Sequence, residues 1–267
     1  MSQPIYIVDA FANGPFTGNP AAVCVLQQEK SAEWMQQVAA EMNLSETAFI
    51  SRVPRLGKGG WILRWFTPTT EVNLCGHATL AAAHVLWESG RETEALIDFH
   101  TRSGLLGASR QTSGITLDFP ADPPAVMAAV PPVLVEALGA QPDWLGQGRE
   151  DWVAVFNSAE QVRRLQPDFR LLASLPPRGV IATAPGDEPG VDLVSRFFAP
   201  RVGINEDPVT GAAHCLLAVY WGRQLDKHRL QARQVSARTG WLTLAVHGDR
   251  VQLTGKARIT LTGEFHG

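Results

Sequence analysis

The chain has 267 residues, of which 45% are hydrophobic and 18% are charged, and its formal net charge is −3. This balance is typical of a globular protein, and it carries neither a basic block that would favour nucleic acid nor an apolar run of the roughly 18 residues that cross a bilayer. Three cysteines, a small and odd number, indicate reduced thiols, and the start lacks a basic, apolar leader. We therefore expect a cytoplasmic protein that acts on a small molecule.

Short apolar runs separated by glycine, proline and asparagine predict a strand-rich first half. Strands are expected at residues 4–9, 20–26, 61–66, 95–100, 105–110 and 115–119. A helix is predicted over residues 31–42, because Ser31 can cap its N-terminus, apolar residues share one face, and Asn43 ends it. A second helix, over residues 78–87, is apolar on nearly every side and is expected to be buried.

A cluster of prolines separates the two halves of the chain, between residues 120 and 132. Proline removes a backbone donor, so this segment cannot be a central strand, and we divide the chain into an N-terminal lobe, residues 1–119, and a C-terminal lobe, residues 120–267. In the second lobe, helices are predicted at residues 132–138, 158–165 and 212–221. Strands are predicted there at residues 152–156, 180–184, 191–199, 230–236, 241–246, 250–253 and 257–261.

Three motifs of the first half recur in the second half in the same order. Arg-Trp-Phe-Thr-Pro at 64–68 matches Arg-Phe-Phe-Ala-Pro at 196–200, Glu71 with Gly76 matches Glu206 with Gly211, and Arg-Ser-Gly-Leu-Leu at 102–106 matches Arg-Thr-Gly-Trp-Leu at 238–242. The copies lie 132, 135 and 136 residues apart, close to half the chain length. One duplicated half-chain explains this spacing.

Clustered strands with few helices favour an α+β fold over regular alternation of strands and helices. We predict two pseudo-symmetric lobes, each a mixed β-sheet or barrel wrapped around its central apolar helix, with the lobes meeting along a cleft. A buried helix that begins at glycine presents unpaired N–H groups and the positive end of its dipole. The helix starts at Gly76 and Gly211, with His77 and Ala212, are therefore expected to hold a substrate carboxylate.

The polar residues beside these helix starts allow several interpretations. The dipole biases His77 towards the neutral form, which can shuttle a proton or donate to a substrate. Glu71 and Glu206 are equally explained as charges that favour a helix N-terminus, whereas Asp207, next to a proline, is more typical of a placed functional group.

Two further chemistries are disfavoured by spacing. Cys75 with His77 lacks the Cys-x-x-Cys or His-Glu-x-x-His pattern of zinc sites, so no metal is expected. A racemase with two matched thiols would need a cysteine at position 210, where the chain has Thr210, too weak an acid for that role.

Four segments together resemble the PhzF family of phenazine-biosynthesis-like isomerases. They are Thr-Gly-Asn-Pro-Ala-Ala-Val at 17–23, Leu-Ser-Glu-Thr-Ala-Phe at 44–49, Cys-Gly-His-Ala-Thr at 75–79 and Glu-Asp-Pro-Val-Thr-Gly-Ala-Ala-His at 206–214. The resemblance covers nearly the whole chain. It implies a fold similar to diaminopimelate epimerase, no cofactor, and a homodimer.

The resemblance also implies roles for individual residues. Glu46 maps to the general acid/base that moves a proton between carbons of a small carboxylated substrate, which requires a raised pKa, and His77 and Asp207 map to its active-site polar partners. The same segments place other residues around the substrate: Asn19, Ser45, Cys75, Gly76, Thr210, Gly211 and Ala212. Where the family often has serine, this chain has Ala212, so its substrate is expected to be a related carboxylate rather than necessarily the phenazine precursor.

We therefore predict a cofactor-independent isomerase that acts by proton transfer on a small carboxylic or amino acid. One alternative is an epimerase or racemase in which Cys75 acts with a second base. Another is a binding protein that keeps the site without turnover.

Overall fold

The computed structural model describes residues 2–52 and 60–267, which form two compact units. The first unit consists of Met1–Asp118 together with Thr254–Gly267, and the second of Phe119–Leu253. The sequence-based division assigned residues 254–267 to the C-terminal lobe. The structure corrects this assignment, because the last strand of the chain pairs with the first.

The first unit is a mixed sheet with two helices. Its elements are β1 (Gln3–Ala10), β2 (Asn19–Leu26), α1 (Ala32–Met42), β3 (Thr47–Arg52), β4 (Gly60–Phe66), β5 (Glu71–Val72), α2 (Gly76–Glu88), β6 (Leu96–Thr101), β7 (Gly104–Gln111), β8 (Gly114–Pro120) and, from the end of the chain, β18 (Ala257–Phe265). β1 is antiparallel to both β18 and β2, and β3 is parallel to β2. β4 then pairs antiparallel with β3 and parallel with β6, and β7 and β8 complete an antiparallel meander.

The second unit repeats this plan. Its elements are β9 (Ala125–Val126), α3 (Pro132–Leu138), β10 (Trp144–Gln147), β11 (Asp151–Val155), α4 (Ala159–Arg164), α5 (Phe169–Ser174), β12 (Gly179–Pro185), β13 (Leu193–Ala199), β14 (Ile204–Asp207), α6 (Gly211–Leu225), β15 (Arg229–Gln234), β16 (Gly240–His247) and β17 (Arg250–Gly255), which reaches the unit boundary. β12 is parallel to β11 and antiparallel to β13, as β3 is to β2 and β4. β13 pairs with β14 and β15 as β4 pairs with β5 and β6.

The two repeats exchange their closing strands. β9 follows the first repeat in sequence but pairs with β10 in the second unit, and β18 follows the second repeat but pairs with β1 in the first unit. The β1–β18 pair joins the two ends of the chain, whereas β9 and β10 are separated only by α3. The predicted α+β fold with mixed sheets is confirmed.

The repeated arginine and glutamate form the same ion pair in both units. Nε and Nη2 of Arg64 donate to the two carboxylate oxygens of Glu71 at 2.7 and 2.8 Å, and Arg196 binds Glu206 with the same two distances. Such bidentate pairs have strict geometry, so each one ties β4 to β5, or β13 to β14, just before the buried helix. The sequence left open whether the glutamates were helix-terminal charges; they are the carboxylates of these pairs.

Local capping signals predicted several helix ends correctly. The Ser31 hydroxyl accepts from the Trp34 N–H and Asn43 ends α1 in the left-handed conformation, as predicted, and Ser158 forms a capping box with Gln161 at the start of the predicted helix. The helix α5 and the short strands β5, β9, β10 and β14 were not predicted. The Asp168 carboxylate caps α5. This helix has only six residues, so its capping signal is easy to overlook in the sequence.

The two apolar helices are buried, as predicted. Ten residues of α2 and nine of α6 are buried. Neither helix has a distinct polar face, which is typical of a helix buried on all sides. Within its unit, α2 packs on β1, β2 and β18, and α6 packs on β15 and β16. None of the helices in residues 2–52 and 60–267 combines the length and apolarity that a membrane crossing requires.

Candidate active site

The residues implicated by the sequence fall into two groups, one in each unit. In the first unit, Asn19 begins β2 and Glu46 directly precedes β3. Since β2 and β3 are parallel neighbours, both strands begin at the same end of the sheet. The Ala22 N–H donates to the Glu46 carbonyl oxygen at 3.2 Å. The start of α2 brings Cys75 and His77 to these residues.

The imidazole of His77 is the centre of this first group. Its Nε2 lies 3.3 Å from Oε2 of Glu46. Its Nδ1 lies 3.3 Å from Nδ2 of Asn19 and 3.5 Å from Sγ of Cys75. The Ser45 hydroxyl adds a further contact, donating to Oδ1 of Asn19 at 3.4 Å. The structure therefore brings together five side chains that the sequence singled out.

Burial sets the protonation state of this imidazole. His77 is 5% exposed, and burial lowers its pKa from 6.5 to about 3. The ring is consequently neutral at neutral pH, as the sequence predicted, although burial rather than the helix dipole is the cause identified in the structure. The contact between His77 and Glu46 is thus a neutral imidazole against a carboxyl group rather than an ion pair.

The starts of α2 and α6 differ from those of α1, α4 and α5. Side chains of Ser31, Ser158 and Asp168 accept hydrogen bonds from the first turns of α1, α4 and α5. The N-cap residues Cys75 and Thr210 make no such bond to α2 and α6. Neither helix has an acidic residue in its first turn, so both present backbone N–H groups suited to an anion.

The second group lies around Asp207, at the end of β14. The Thr210 hydroxyl donates to Oδ2 of Asp207 at 2.5 Å, and both residues are 8% exposed. Gly211 begins α6 and is buried, whereas Ala212 is exposed. The Thr210 hydroxyl is therefore engaged with Asp207. It does not act as the second base that a racemase with matched groups at positions 75 and 210 would need.

Gln234 is a member of this second group that sequence reasoning missed. It is fully buried in β15; its Oε1 accepts from the Thr210 N–H at 2.9 Å and its Nε2 donates to the Asp207 carbonyl oxygen at 2.6 Å. It holds the whole turn from Asp207 to Thr210. One signal was present, because Leu230, Ala232 and Gln234 alternate on the buried face of a strand, where a polar residue needs a partner.

The duplication carries the Glu46–His77 pair in one copy only. Thr47 lies opposite Phe66 in the first unit and Val180 lies opposite the equivalent Phe198 in the second, so Glu46 corresponds to Gly179. A Cβ at Gly179 would collide with the ring of Phe197. His77 corresponds to Ala212, since each is the second residue of its helix. The second repeat keeps the framework but has neither of these two side chains.

The first group also contains three potential metal ligands. One ligand atom from each of Glu46, Cys75 and His77 lies within 4.8 Å of the others. The two ring nitrogens, however, face different partners: Nε2 faces Glu46 and Nδ1 faces Cys75. One ion can take the lone pair of only one nitrogen, so the set is poorly arranged for a shared metal.

Comparison with known proteins agrees with this fold. The PhzC-PhzF family model, which describes phenazine biosynthesis-like proteins, matches residues 8–263. An uncharacterised isomerase of Halalkalibacterium halodurans is 48% identical over 266 residues, which cover 99% of each chain. A crystal structure of a PhzF-family phenazine biosynthesis protein from Enterococcus faecalis is 44% identical, covers 100% of each chain and superposes with a TM-score of 0.94.

A more distant structure extends the fold similarity. A predicted epimerase of Pseudomonas aeruginosa has a TM-score of 0.74 at 21% identity and covers 99% of each chain, which shows a shared fold alone. The fold and the close relatives together define an isomerase. More specifically, the chain belongs to the PhzC-PhzF family of phenazine biosynthesis-like proteins.

Proposed function

We propose that the protein isomerises a small carboxylated substrate by moving a proton between two of its carbon atoms, without a cofactor. The observation that carries the proposal is the Glu46 carboxyl group, held against the neutral imidazole of His77 at the start of α2. In the first step the ionised Glu46 removes a proton from carbon, leaving a delocalised carbanion. In the second step the protonated Glu46 returns a proton to another carbon, so the double bond moves and no atoms are gained or lost.

The start of α2 supports the negative charge that forms in the first step. The backbone N–H groups at Gly76 and His77 can donate to a substrate carboxylate and to the charge delocalised onto it. A neutral His77 contributes a directed hydrogen bond rather than a full positive charge.

The role of Asp207 as a polar partner stays a prediction. Within its own unit, the Thr210 hydroxyl donates to its carboxylate and the Gln234 amide donates to its backbone carbonyl oxygen. Ala212 offers no hydroxyl to a substrate, which favours a carboxylate that needs no donor at this position. The homodimer implied by the family resemblance stays a prediction.

A second candidate function is an epimerase in which Cys75 is a base. The observation favouring it is the 3.5 Å contact between Sγ of Cys75 and Nδ1 of His77, since a histidine neighbour can activate a thiol. Two-base inversion also needs a base for the opposite face. Position 210, which corresponds to Cys75 in the repeat, carries a threonine whose hydroxyl donates to Asp207.

Heavy-water labelling tests the proposal directly. A metabolite extract is incubated in deuterium oxide with wild type and with Cys75→Ala, and mass spectrometry detects deuterium bound to carbon. Because the Glu46 side chain is 13% exposed, its carboxyl proton can exchange with solvent between the two steps. We expect both proteins to label the same carboxylated metabolite and to shift its double bond without inverting a stereocentre.

Other outcomes would favour the alternatives. Labelling that is accompanied by stereochemical inversion and is lost in Cys75→Ala would replace the proposal with the epimerase. If wild type labels nothing while a carboxylated ligand still raises the melting temperature, the chain is a binding protein.

Metal removal tests the cofactor-independent part of the proposal. Dialysis against a chelator is expected to leave the labelling rate unchanged, because Nε2 of His77 faces Glu46 rather than sharing an ion with Cys75. Elemental analysis of the purified protein provides the control. A stoichiometric zinc content, together with loss of activity on dialysis and recovery on adding zinc, would contradict it.

A further inference from the structure

We propose that Ser45 and Asn19 fix the tautomer of His77, so that its hydrogen resides on Nε2, the ring nitrogen on the side of Glu46. The two residues then act as positioning residues rather than as substrate contacts. The consequence for catalysis rests on the proposed function, whereas the tautomer itself does not.

The polarity of the hydrogen-bond chain supports this assignment. Nε2 makes no hydrogen bond within the described residues but lies 3.3 Å from Oε2 of Glu46, and the negative charge of an ionised carboxylate favours an N–H over a lone pair beside it. A neutral ring has a single N–H, so Nδ1 must accept, and the atom 3.3 Å away that can donate to it is Nδ2 of Asn19. The amide oxygen of Asn19 then faces the Ser45 hydroxyl, which can donate to it at 3.4 Å.

The reverse arrangement of donors and acceptors is disfavoured at Nε2 of His77. If the Asn19 amide were flipped, its oxygen would accept from Nδ1–H, and the lone pair of Nε2 would face the Glu46 carboxylate. Two acceptors would then oppose each other at a site where His77 is 5% exposed and water cannot intervene freely. The Cys75 thiol, 3.5 Å from Nδ1, is also a weak donor to an acceptor nitrogen.

The second repeat contains a buried histidine with the opposite tautomer. Nδ1 of His214 lies 2.7 Å from the Thr210 carbonyl oxygen, which only accepts, so Nδ1 must carry the hydrogen. Its Nε2 lies 3.3 Å from the Ser195 hydroxyl, which can donate to it. In the first repeat, the Thr79 hydroxyl takes the place of this imidazole and donates to the Cys75 carbonyl oxygen at 2.6 Å.

Both tautomers can be read from one nuclear magnetic resonance spectrum. Protein labelled with ¹⁵N in its histidine rings is recorded in a long-range ¹H–¹⁵N correlation experiment, and His77→Gln and His214→Gln assign the two signals. We expect Nε2–H for His77 and Nδ1–H for His214, which serves as the internal control. An Nδ1–H tautomer at His77 would overturn the proposal, whatever the enzyme's activity.

An isosteric variant tests whether Asn19 is the cause. Asn19→Asp replaces the donor amide by an acceptor, so the Nδ1 atom of His77 should become protonated in the spectrum. Asn13→Asp, at an exposed position in the loop before β2, makes the same change of charge and should leave the spectrum as in wild type. An unchanged His77 signal in Asn19→Asp would exclude Asn19 as the residue that fixes the tautomer.

Kinetics separate positioning from substrate binding. We expect Asn19→Asp and Ser45→Ala to lower kcat by about 10- to 100-fold with little change in KM, and Ser45→Thr to restore most of the rate. A rise in KM at unchanged kcat would instead assign both residues to substrate binding. If the labelling experiment finds no proton transfer at all, the proposed function fails while the spectrum still decides the tautomer.

Discussion

Glu46→Gln is expected to lower the rate of proton transfer by about 10²- to 10⁴-fold, the range typical of a lost general acid/base. The amide has nearly the size and shape of the carboxyl group and can keep its contact with His77, but it can neither take a proton from carbon nor return one. The rate is measured as carbon-bound deuterium and as product formed from the metabolite that wild type labels.

A matched variant makes this result specific. Glu41→Gln makes the same chemical change at an exposed position in the last turn of α1, and its rate should equal that of wild type. Circular dichroism and melting temperature must show that Glu46→Gln remains folded. If a folded Glu46→Gln variant labels the substrate as fast as wild type, Glu46 is not the catalyst and Cys75 becomes the next candidate.

The free energy of unfolding should fall by about 2 kcal/mol for each of two buried histidines as the pH is lowered from 7 to 5. Burial lowers the pKa of His77 to about 3 and that of His214 to about 4, both below the ordinary value of 6.5. Between these values the unfolded chain binds a proton that the folded chain excludes. Stability is therefore fully present above pH 6.5 and is lost as the pH falls towards the folded pKa.

Urea unfolding at several pH values between 7 and 5 measures this effect. His77→Gln and His214→Gln should each flatten the dependence of stability on pH, whatever their effect on stability at pH 7. His228→Gln, at an exposed position, should leave the slope unchanged. A slope that stays the same in both buried variants would show that other groups cause the loss.

Local signals predicted most of the secondary structure but not the partners of the strands. Caps such as Ser31 and Ser158 act within one helical turn, so they are legible in a short window. The pairing of β18 with β1 joins the two ends of the chain, and no short window contains it. For this reason residues 254–267 were assigned to the wrong half.

Part of the candidate site was also predictable from the sequence, and part was not. The repeat drew attention to the helix starts at Gly76 and Gly211, and the family resemblance singled out Glu46, which otherwise looks like an ordinary residue between a helix and a strand. Gln234 was missed because its partners, Asp207 and Thr210, lie more than twenty residues away in sequence. A glutamine in an alternating strand gains significance only when its buried neighbours are known.

The sequence by itself determined the duplication, the class of fold, the buried helices and the residue types available for chemistry. These depend on composition, periodicity and spacing, which are properties of neighbouring residues. The tertiary structure alone decided that burial is what keeps His77 neutral, that its two nitrogens face different partners, and that Glu71 and Glu206 are ion-paired. Burial and hydrogen-bond polarity arise where distant segments meet, so they exist only once the chain is folded.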